Sequence, residues 1–507
     1  MPLIAAFEAE MALCGDLPTD FRPCCIICSS MRVINSSLSG TLATLVLANC
    51  AAVPPAPAAP DALATSKSFA AANSSLVAQA PIEIEWWSGF SDPLLTSLVN
   101  DALSENKNLA VAEANVSAAR AILARQSLGR SYSTNATTSA ELGRAARQGA
   151  DTELSANAQF GASWEYDAFG RIASQIESAA FRVDQLEQVR RDVAVTIAAN
   201  TALAYVDYRG NQIRLAVAQR NADLQGESVE LLRVLFENGR ATRLDVERAE
   251  SQYRTTLASL PLLEINIRTA ATQLAVLTGR SDLQFDETVL DRVDEAASIP
   301  VPPDMLNVGR PADLIRRRPD IRAVEADIAR LLALGDVERA RLFPTLSFNA
   351  NLLGLFTEDS TLHNSIGFGI GPALRWDGPD LRRVRADIEI ADAQTRVAFA
   401  TYENTVIDAL GEVEIALTSY AQERARRVDL EAASASAERA LELARLRFDE
   451  GLDDFLDVID AQRTLLDAQD RLEISRLATT RQAIAAYRAL GGIWRDANVV
   501  DATLESE

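Results

Sequence analysis

The chain has 507 residues, and its 49 lysines and arginines against 71 aspartates and glutamates give a formal net charge of −22. A surface this acidic repels a phosphate backbone, which excludes nucleic acid as a partner. No change of composition along the chain divides it into unrelated globules, so we expect one architecture.

Catalytic and metal chemistry has few residues to use. The only histidine, His363, cannot form a Cys/His zinc cluster or a paired-His site within one chain. It lies in the polar stretch 358–364, which favours a solvated loop histidine over a member of a Ser/His/Asp site. Lys67 and Lys107 do not follow a glycine-rich phosphate-binding loop, so we expect no ATP hydrolysis. We therefore predict no catalytic residue, no cofactor and no metal site.

The N-terminal region indicates a secreted lipoprotein. All the cysteines lie in the first tenth of the chain, at Cys14, Cys24, Cys25, Cys28 and Cys50. A secretory pattern begins at Met31, continues through the apolar stretch 42–47 and ends in Leu-Ala-Asn-Cys50, which predicts lipidation of Cys50. Ordinary cleavage nearby, with Cys50 unmodified, is the alternative. Residues 1–50 are then an extension and signal, and the Ala/Pro/Ser-rich residues 51–80 a flexible tether.

The body of the chain contains an internal duplication with a constant offset of 212 residues. Trp164 corresponds to Trp376, Tyr208 corresponds to Tyr420, and Gly279 corresponds to Gly491. We therefore predict two copies of one unit, with a connecting segment between them and a tail after them: 81–280 and 312–495 for the copies, 281–311 for the connection and 496–507 for the tail.

Each copy begins with a helical stretch, at about 94–129 and 312–341, and continues into two segments of alternating apolar and polar residues. The alternating segments are about 132–141, 154–166, 345–353 and 366–376. Such strands, with aromatic residues at an end, are typical of a transmembrane β-barrel. After residue 60 no apolar run approaches the roughly 20 residues of a spanning helix, so any later membrane crossing must use strands.

A very long helical run without proline follows each strand pair, from Arg171 to about Leu235 and from Leu381 to about Arg447. Some 65 residues at about 1.5 Å each predict a rod of about 100 Å. The second run carries a near-heptad apolar seam of the coiled-coil kind, at Tyr402, Val406, Leu410, Val413, Leu417 and Tyr420.

The far end of each rod turns at a Phe-x-x-Gly sequence. Gly239 and Gly451 suit the left-handed position that follows a helix terminus. Return helices then extend to about 278 and 490, and we expect Pro261 to interrupt the first of them.

The strands require an oligomer. Four strands cannot close a barrel, and an open sheet edge in lipid leaves backbone groups unpaired at several kcal/mol each. Because the smallest bacterial barrels have about eight strands, at least two chains must combine theirs. The strand count alone does not choose between two chains and three.

Several short motifs together resemble those of the TolC-like outer-membrane efflux family, especially its lipoprotein subgroup serving RND-type pumps, the OprM and NodT-like proteins. They are Trp86-Trp87-Ser-Gly-Phe90, Arg317-Arg-Pro-Asp-Ile321, Phe343-Pro344 and the two Phe-x-x-Gly turns. The resemblance implies a mainly α chain with a membrane β part. It also implies a homotrimer with a 12-strand outer-membrane β-barrel and a periplasmic α-barrel. This trimer would dock onto a periplasmic adaptor, which connects it to an inner-membrane pump of the RND type.

The resemblance also implies a periplasmic gate. Family members ring the mouth with the carboxylates of an Asp-x-x-Asp, and Asp457 and Asp460 occupy the matching positions. The first copy departs from the motif with Asp245 and Arg248, and Arg248 would pair with an acidic neighbour to help hold the mouth shut. The alternative is that Asp453, Asp454 and Asp457 only cap a helix and stabilise its dipole.

Two other functions fit the same sequence. A TolC-type exit duct for secreted proteins would use the same channel with a different pump. A periplasmic coiled-coil lipoprotein without a pore would explain the long helices, but it leaves the alternating strands unexplained. The lipoprotein signal and the motif at Trp86-Trp87 favour the efflux channel.

Overall fold

The computed structural model describes residues 55–57, 69, 77–78, 85–144, 152–281, 298–357, 365–378 and 380–492. Cys50 with its signal, His363 and the tail 496–507 lie outside the described residues. The chain divides into two compact units. The strand unit contains Ala124–Ala179 and Arg330–Arg396, with residues up to Ala59. The helical unit contains Pro60–Leu123, Ala180–Ala329 and residues from Val397 onward.

The tether, the first copy and the connection to the second contain four strands and four helices among the described residues. In chain order they are β1 (Val77–Ala78), α1 (Pro93–Glu105), α2 (Lys107–Ser127), β2 (Ser133–Arg144), β3 (Thr152–Tyr166), α3 (Arg171–Glu237), α4 (Arg243–Leu277) and β4 (Leu306–Asn307). Short 3₁₀ helices lie at Trp86–Phe90 and Leu128–Arg130.

The second copy repeats this order. Its elements are α5 (Pro311–Arg317), α6 (Pro319–Ala340), β5 (Thr345–Thr357), β6 (Ser365–Arg375), α7 (Arg382–Asp449) and α8 (Phe455–Ala489). Moved by 212 positions, α4 coincides with α8 at both ends, and α3 falls on α7 within one residue. The duplication in the sequence is therefore also a duplication of structure.

The opening helix of each copy is broken where the sequence predicted one continuous helix. Asn106 and Arg318 take almost the same extended conformation, with φ/ψ of −63°/127° and −61°/123°. Asn106 leaves the helix to cap the next one, since its side-chain oxygen accepts from the backbone N–H of Asn108 at 2.9 Å. Arg318 precedes Pro319, and a residue before proline is disfavoured in the helical conformation.

The expected interruption at Pro261 was wrong. Helix α4 continues from Arg243 to Leu277 with Pro261 inside it. A proline removes one helical hydrogen bond and crowds the carbonyl four residues earlier. Pro261 is exposed, so water can solvate the freed carbonyl, while Thr256 and Leu263 on either side are buried and hold the flanking turns.

The strand unit is built on one antiparallel sheet in the order β2-β3-β5-β6. The alternation predicted from the sequence holds along the strands except in the second half of β5, where Leu353 and Leu355 lie on the otherwise polar face. The apolar face is exposed, with Phe368 at 86% and Ile370 at 84% of full exposure. Each copy ties its strand pair to the preceding residues with the same hydrogen bond. The indole N–H of Trp164 donates to the carbonyl of Arg130, and that of Trp376 donates to the carbonyl of Leu342, both at 3.1 Å.

The helical unit has a large apolar core. Leu95, Tyr205 and Ile484 are fully buried in it, and Trp86 stacks on Tyr487 with ring centroids 5.1 Å apart. The predicted seam of α7 is buried at Val406, Val413, Leu417 and Tyr420. Part of the predicted tether joins this unit as well, because Phe69 is buried in the core and β1 pairs with β4 in parallel.

Candidate gate at the helix tips

The two tips of the helical unit have the same backbone. Gly239 and Gly451 have φ of +71° and +70°, the left-handed region that favours glycine. In the first tip, the N–H of Gly239 donates to Phe236 O and that of Arg240 to Leu235 O, at 2.9 and 2.8 Å. The second tip repeats both bonds 212 positions later. This Schellman pattern satisfies carbonyls that the helix end would otherwise leave unpaired.

The carboxylate of the first tip is used by the helix itself. The hydroxyl of Thr242 donates to Asp245 Oδ2 at 2.6 Å, and the backbone N–H of Thr242 donates to the same oxygen at 2.9 Å. The backbone N–H of Asp245 donates back to the hydroxyl, which completes a capping box at the start of α4. The hydroxyl bond, the backbone bond and the charge of Arg248 together lower the pKa of Asp245.

Arg248 is exposed on the same helix. Within the described part of one chain it attracts Asp245 electrostatically but forms no ion pair with it or with another carboxylate. The acidic neighbour that the sequence predicted for Arg248 is therefore not supplied by the described residues of the same chain.

The second tip uses its acidic residues differently. Asp454 occupies the N-cap position of α8, yet its side chain makes no capping hydrogen bond. Asp453 instead pairs with the guanidinium of Arg447 across the turn, with Nη2 and Oδ1 2.7 Å apart. This hydrogen bond lowers the pKa of Asp453.

Asp457 and Asp460 lie on the exposed side of α8, whose opposite side is anchored by the buried Phe455, Val458 and Ile459. Asp460 lies 3.5 Å from Arg463, an exposed contact one helical turn away. For the Asp457 carboxylate, the described residues provide no hydrogen bond or ion pair, although its charge attracts Arg447. The second copy thus presents two carboxylates to solvent at the tip.

Apolar packing holds the second tip firmly. Phe448 and Phe455 meet edge to face with centroids 4.9 Å apart, and α3 contributes Val229 and Leu232 to the same cluster. Beside it lies a cavity of about 180 Å³, whose walls include Glu227, Arg445 and Asp449. Around the tips several large apolar side chains are exposed: Val234, Phe236, Leu244, Leu446 and Leu452.

A polar seam between α3 and α8 was missed by sequence reasoning. Four α3 residues at intervals of seven each contact α8. Asp207 pairs with Arg481, Arg214 with Asp470, Asn221 with Gln469 and Ser228 with Gln462, at 2.6 to 3.0 Å. The signal was the heptad spacing of polar residues in α3, which an inspection of apolar residues alone passes over.

No helix of the described chain combines the length and apolarity that a membrane span needs. The side chains in the described ranges form no group of His, Cys, Asp and Glu that could hold a metal ion.

The family model of outer membrane efflux proteins matches residues 98–280 and 311–492, one range in each copy. Nodulation protein T of Rhizobium leguminosarum bv. viciae is 31% identical over 395 residues, 76% of this chain and 80% of that protein. The pyoverdine export outer membrane protein OpmQ of Pseudomonas aeruginosa is 29% identical over 427 residues, 81% of this chain and 88% of OpmQ.

Among solved structures, the outer-membrane channel OprN superimposes with a TM-score of 0.77 at 32% identity. The match covers 87% of this chain and 99% of OprN. The family model matches well over half of the sequence, and the duplicated strands and helices described above account for both of its matched ranges. The chain therefore belongs to the outer membrane efflux protein family.

Proposed function

We propose that this protein is the outer-membrane channel of a tripartite efflux system. It conducts passively what an inner-membrane pump of the RND type expels through a periplasmic adaptor, and it performs no chemistry of its own. The observation that carries the proposal is the family match over both copies, combined with a sheet whose apolar face is exposed for lipid.

The open sheet supports a trimer. Strands β2 and β6 are its two edges, and in lipid an unpaired edge costs several kcal/mol per backbone group. Pairing β6 of one chain with β2 of the next chain closes the sheet, and three chains give a barrel of 12 strands. An acyl chain on Cys50 would add a second anchor, without which the barrel still holds the protein in the membrane.

The internal duplication also predicts the contacts between neighbouring chains of the trimer. Within one chain, α3 packs on α8 through the polar seam. The counterpart of α3 is α7, and the counterpart of α8 is α4, so the equivalent contact would join α7 of one chain to α4 of the next chain. The positions equivalent to Asp207 and Arg481 are Ser419 and Thr269. On α4, the apolar side chains of Leu262, Ile265 and Val276 are exposed and available to contact a neighbouring chain.

A cysteine pair tests the assembly, because residues 51–507 contain no native cysteine. In a protein carrying both Ser419→Cys and Thr269→Cys, a short bismaleimide should link neighbouring chains into covalent dimers and trimers, and no product larger than a trimer should form. Each single variant is the control and should link nothing. Products that stop at dimers, or that extend beyond trimers, would contradict a closed ring of three.

The proposed trimer also gives the gate. Asp457 and Asp460 of the three chains would place six carboxylates around a narrow mouth, where confinement concentrates their electric field and favours cations. Asp245 would serve this gate by fixing the start of α4. Arg248 would form an ion pair with an acidic residue of the adjacent chain and help keep the mouth closed.

The adaptor would dock at the tips. Exposed apolar side chains such as Phe236 and Leu452 cluster there, and such clusters are typical of protein–protein contact sites. Leu452→Glu should weaken capture of the purified channel by its adaptor, whereas Val301→Glu, far along the chain in the connecting segment, should not. Equal capture of both variants would remove the tips as the docking surface.

The channel itself is tested by reconstitution of the purified protein in a planar bilayer. Discrete conductance steps are expected. A coiled-coil lipoprotein without a pore would give none, and it would be released into the soluble periplasmic fraction when Cys50→Ser removes its acyl chains.

A further inference from the structure

A single row of paired residues crosses all four strands of the sheet. Asn135 pairs with Gly161, Gly161 pairs with Asn351, and Asn351 pairs with Gly369. All four positions belong to the polar face of the sheet. Asparagine and glycine therefore alternate along one row from edge to edge.

Each asparagine side chain lies flat over the glycine of the next strand. A Cβ added to Gly161 would stand 2.5 Å from Asn135 Oδ1, and one added to Gly369 would stand 2.6 Å from Asn351 Oδ1. Neither glycine has a positive φ, so neither is needed for its backbone conformation. What these glycines provide is the space that the amide groups occupy.

The neighbourhood of the row is uncharged, and it is polar except at Leu353, which follows Asn351 on the same face of β5. On β2 the polar face carries no ionisable residue from Ser133 to Ser139, and on β3 none from Asn157 to Ser163. The hydroxyl of Ser163 donates to Asn349 Oδ1 at 2.8 Å, next to the row. The nearest charge towards the helices is Glu165, which Arg171 neutralises at 2.7 Å.

We propose that Gly161 and Gly369 set the width of the exit through the β part at the level of this row. By letting Asn135 and Asn351 lie against the wall, they keep the amides out of the passage. Three chains would then form a wide ring at this level, without an ionisable residue in it. The inference rests on the proposed function, in which the polar face lines the channel.

The same face supplies a matched control. Gly367 and Gly371 flank Gly369 on β6, and a Cβ on either would meet nothing within 4 Å. Alanine at Gly369 must displace Asn351, whereas alanine at Gly367 displaces nothing. Because the displaced atom is the far end of a flexible side chain, the strands can keep their register and the amide turns into the passage.

A thiol-labelling experiment measures the width of this ring independently of the gate. Ser347 lies on the helix side of the row and Leu355 on its loop side, both on the polar face of β5. With Ser347→Cys, maleimides on polyethylene glycols of increasing size are added from the loop side. Gly369→Ala should lower the largest size that labels Ser347→Cys and leave labelling of Leu355→Cys unchanged.

Three further variants complete the test. Gly367→Ala should label like the parent, and adding Asn351→Ala to Gly369→Ala should restore the parent cutoff. Asn351→Gln, whose longer amide cannot lie in the same space, should lower the cutoff without altering any glycine.

The inference is overturned if Gly369→Ala and Gly367→Ala give the same cutoff, or if Asn351→Ala restores nothing. If Gly369→Ala fails to assemble, an unchanged cutoff in Asn351→Gln overturns it instead. Failure of the proposed function looks different, because the parent would then form no conductance steps and its Ser347→Cys variant would show no size cutoff.

Discussion

The two tips share a backbone and differ in the use of their carboxylates. Both end a long helix with a glycine near φ +70°, and both begin a return helix of the same length. In the first tip Asp245 is bound into a capping box, whereas in the second Asp457 and Asp460 face solvent. The two copies thus share the turn and differ in whether the first acidic residues of the return helix are bound by the helix itself.

The same contrast extends along the long helices. The polar seam of α3 contacts α8 at four levels, but its counterparts in α7 include Ala433 and Ala440 in place of Asn221 and Ser228. A contact within one chain carries directional hydrogen bonds. The equivalent contact that we propose between neighbouring chains would have smaller side chains at these two levels.

The largest effect on ion permeation should come from the exposed carboxylates of the second tip. Asp457→Asn with Asp460→Asn should lower cation over anion permeability by about fivefold, the factor that corresponds to an electrostatic loss of about 1 kcal/mol. Block by trivalent metal complexes added on the periplasmic side should weaken as well. Conductance of the reconstituted channel in a planar bilayer measures both.

Asp245→Asn is the comparison in the first copy, because its carboxylate is bound by the hydroxyl and backbone N–H of Thr242. It should lower the permeability ratio less than the double variant does. If the double variant kept the parent ratio, helix stabilisation would be the whole role of these aspartates.

The glycines should respond equally in the two tips. Gly239→Ala and Gly451→Ala each force alanine into the left-handed region, at a cost of about 1 to 2 kcal/mol, with no steric contact in either case. Thermal unfolding of the purified protein should show similar losses. Gly411→Ala, inside α7 and also free of contacts, should instead raise the unfolding temperature. Unequal losses would mean that the tips differ in more than their side chains.

The caps should respond unequally. Thr242→Ala removes a capping box and should cost about 1 kcal/mol of unfolding free energy. Asp454→Ala removes a residue that makes no capping bond, so only its smaller attraction to the helix dipole is lost. Chemical denaturation of the two variants side by side measures the difference, and equal losses would contradict the capping assignment.

The smallest effect concerns acid. The pKa of Asp245 is lowered in the folded protein, so its contribution to stability is present above the unfolded pKa of about 3.9 and is lost as the pH falls through the folded value. Protection against hydrogen exchange at the first turn of α4, taken relative to the intrinsic rate at each pH, should therefore fall in the parent between about pH 5 and pH 3 more than in Thr242→Ala. Identical pH dependence in the two proteins would separate the lowered pKa from the cap.

The sequence predicts features that repeat locally and misses those that depend on distant pairing. Alternation and the constant offset located the sheet strands and both turning glycines to within a few residues. The breaks at Asn106 and Arg318 were missed because the apolar period continues through them. The row through Gly161 and Asn351 depends on register between strands 190 positions apart in the chain, which no local pattern determines.

The helix breaks also show what was retained as the two copies diverged. The amide of Asn106 donates to the carbonyl of Leu277 at 2.8 Å, and 212 positions later the guanidinium of Arg318 donates to the carbonyl of Ala489 at 2.8 Å. Each satisfies an oxygen at the end of its return helix. One residue is neutral and the other is cationic, yet the donor occupies the same place, and Arg318 donates its remaining N–H groups to Asp320 and Glu412. The same contact can thus be made by itself in one copy and as part of a charge network in the other.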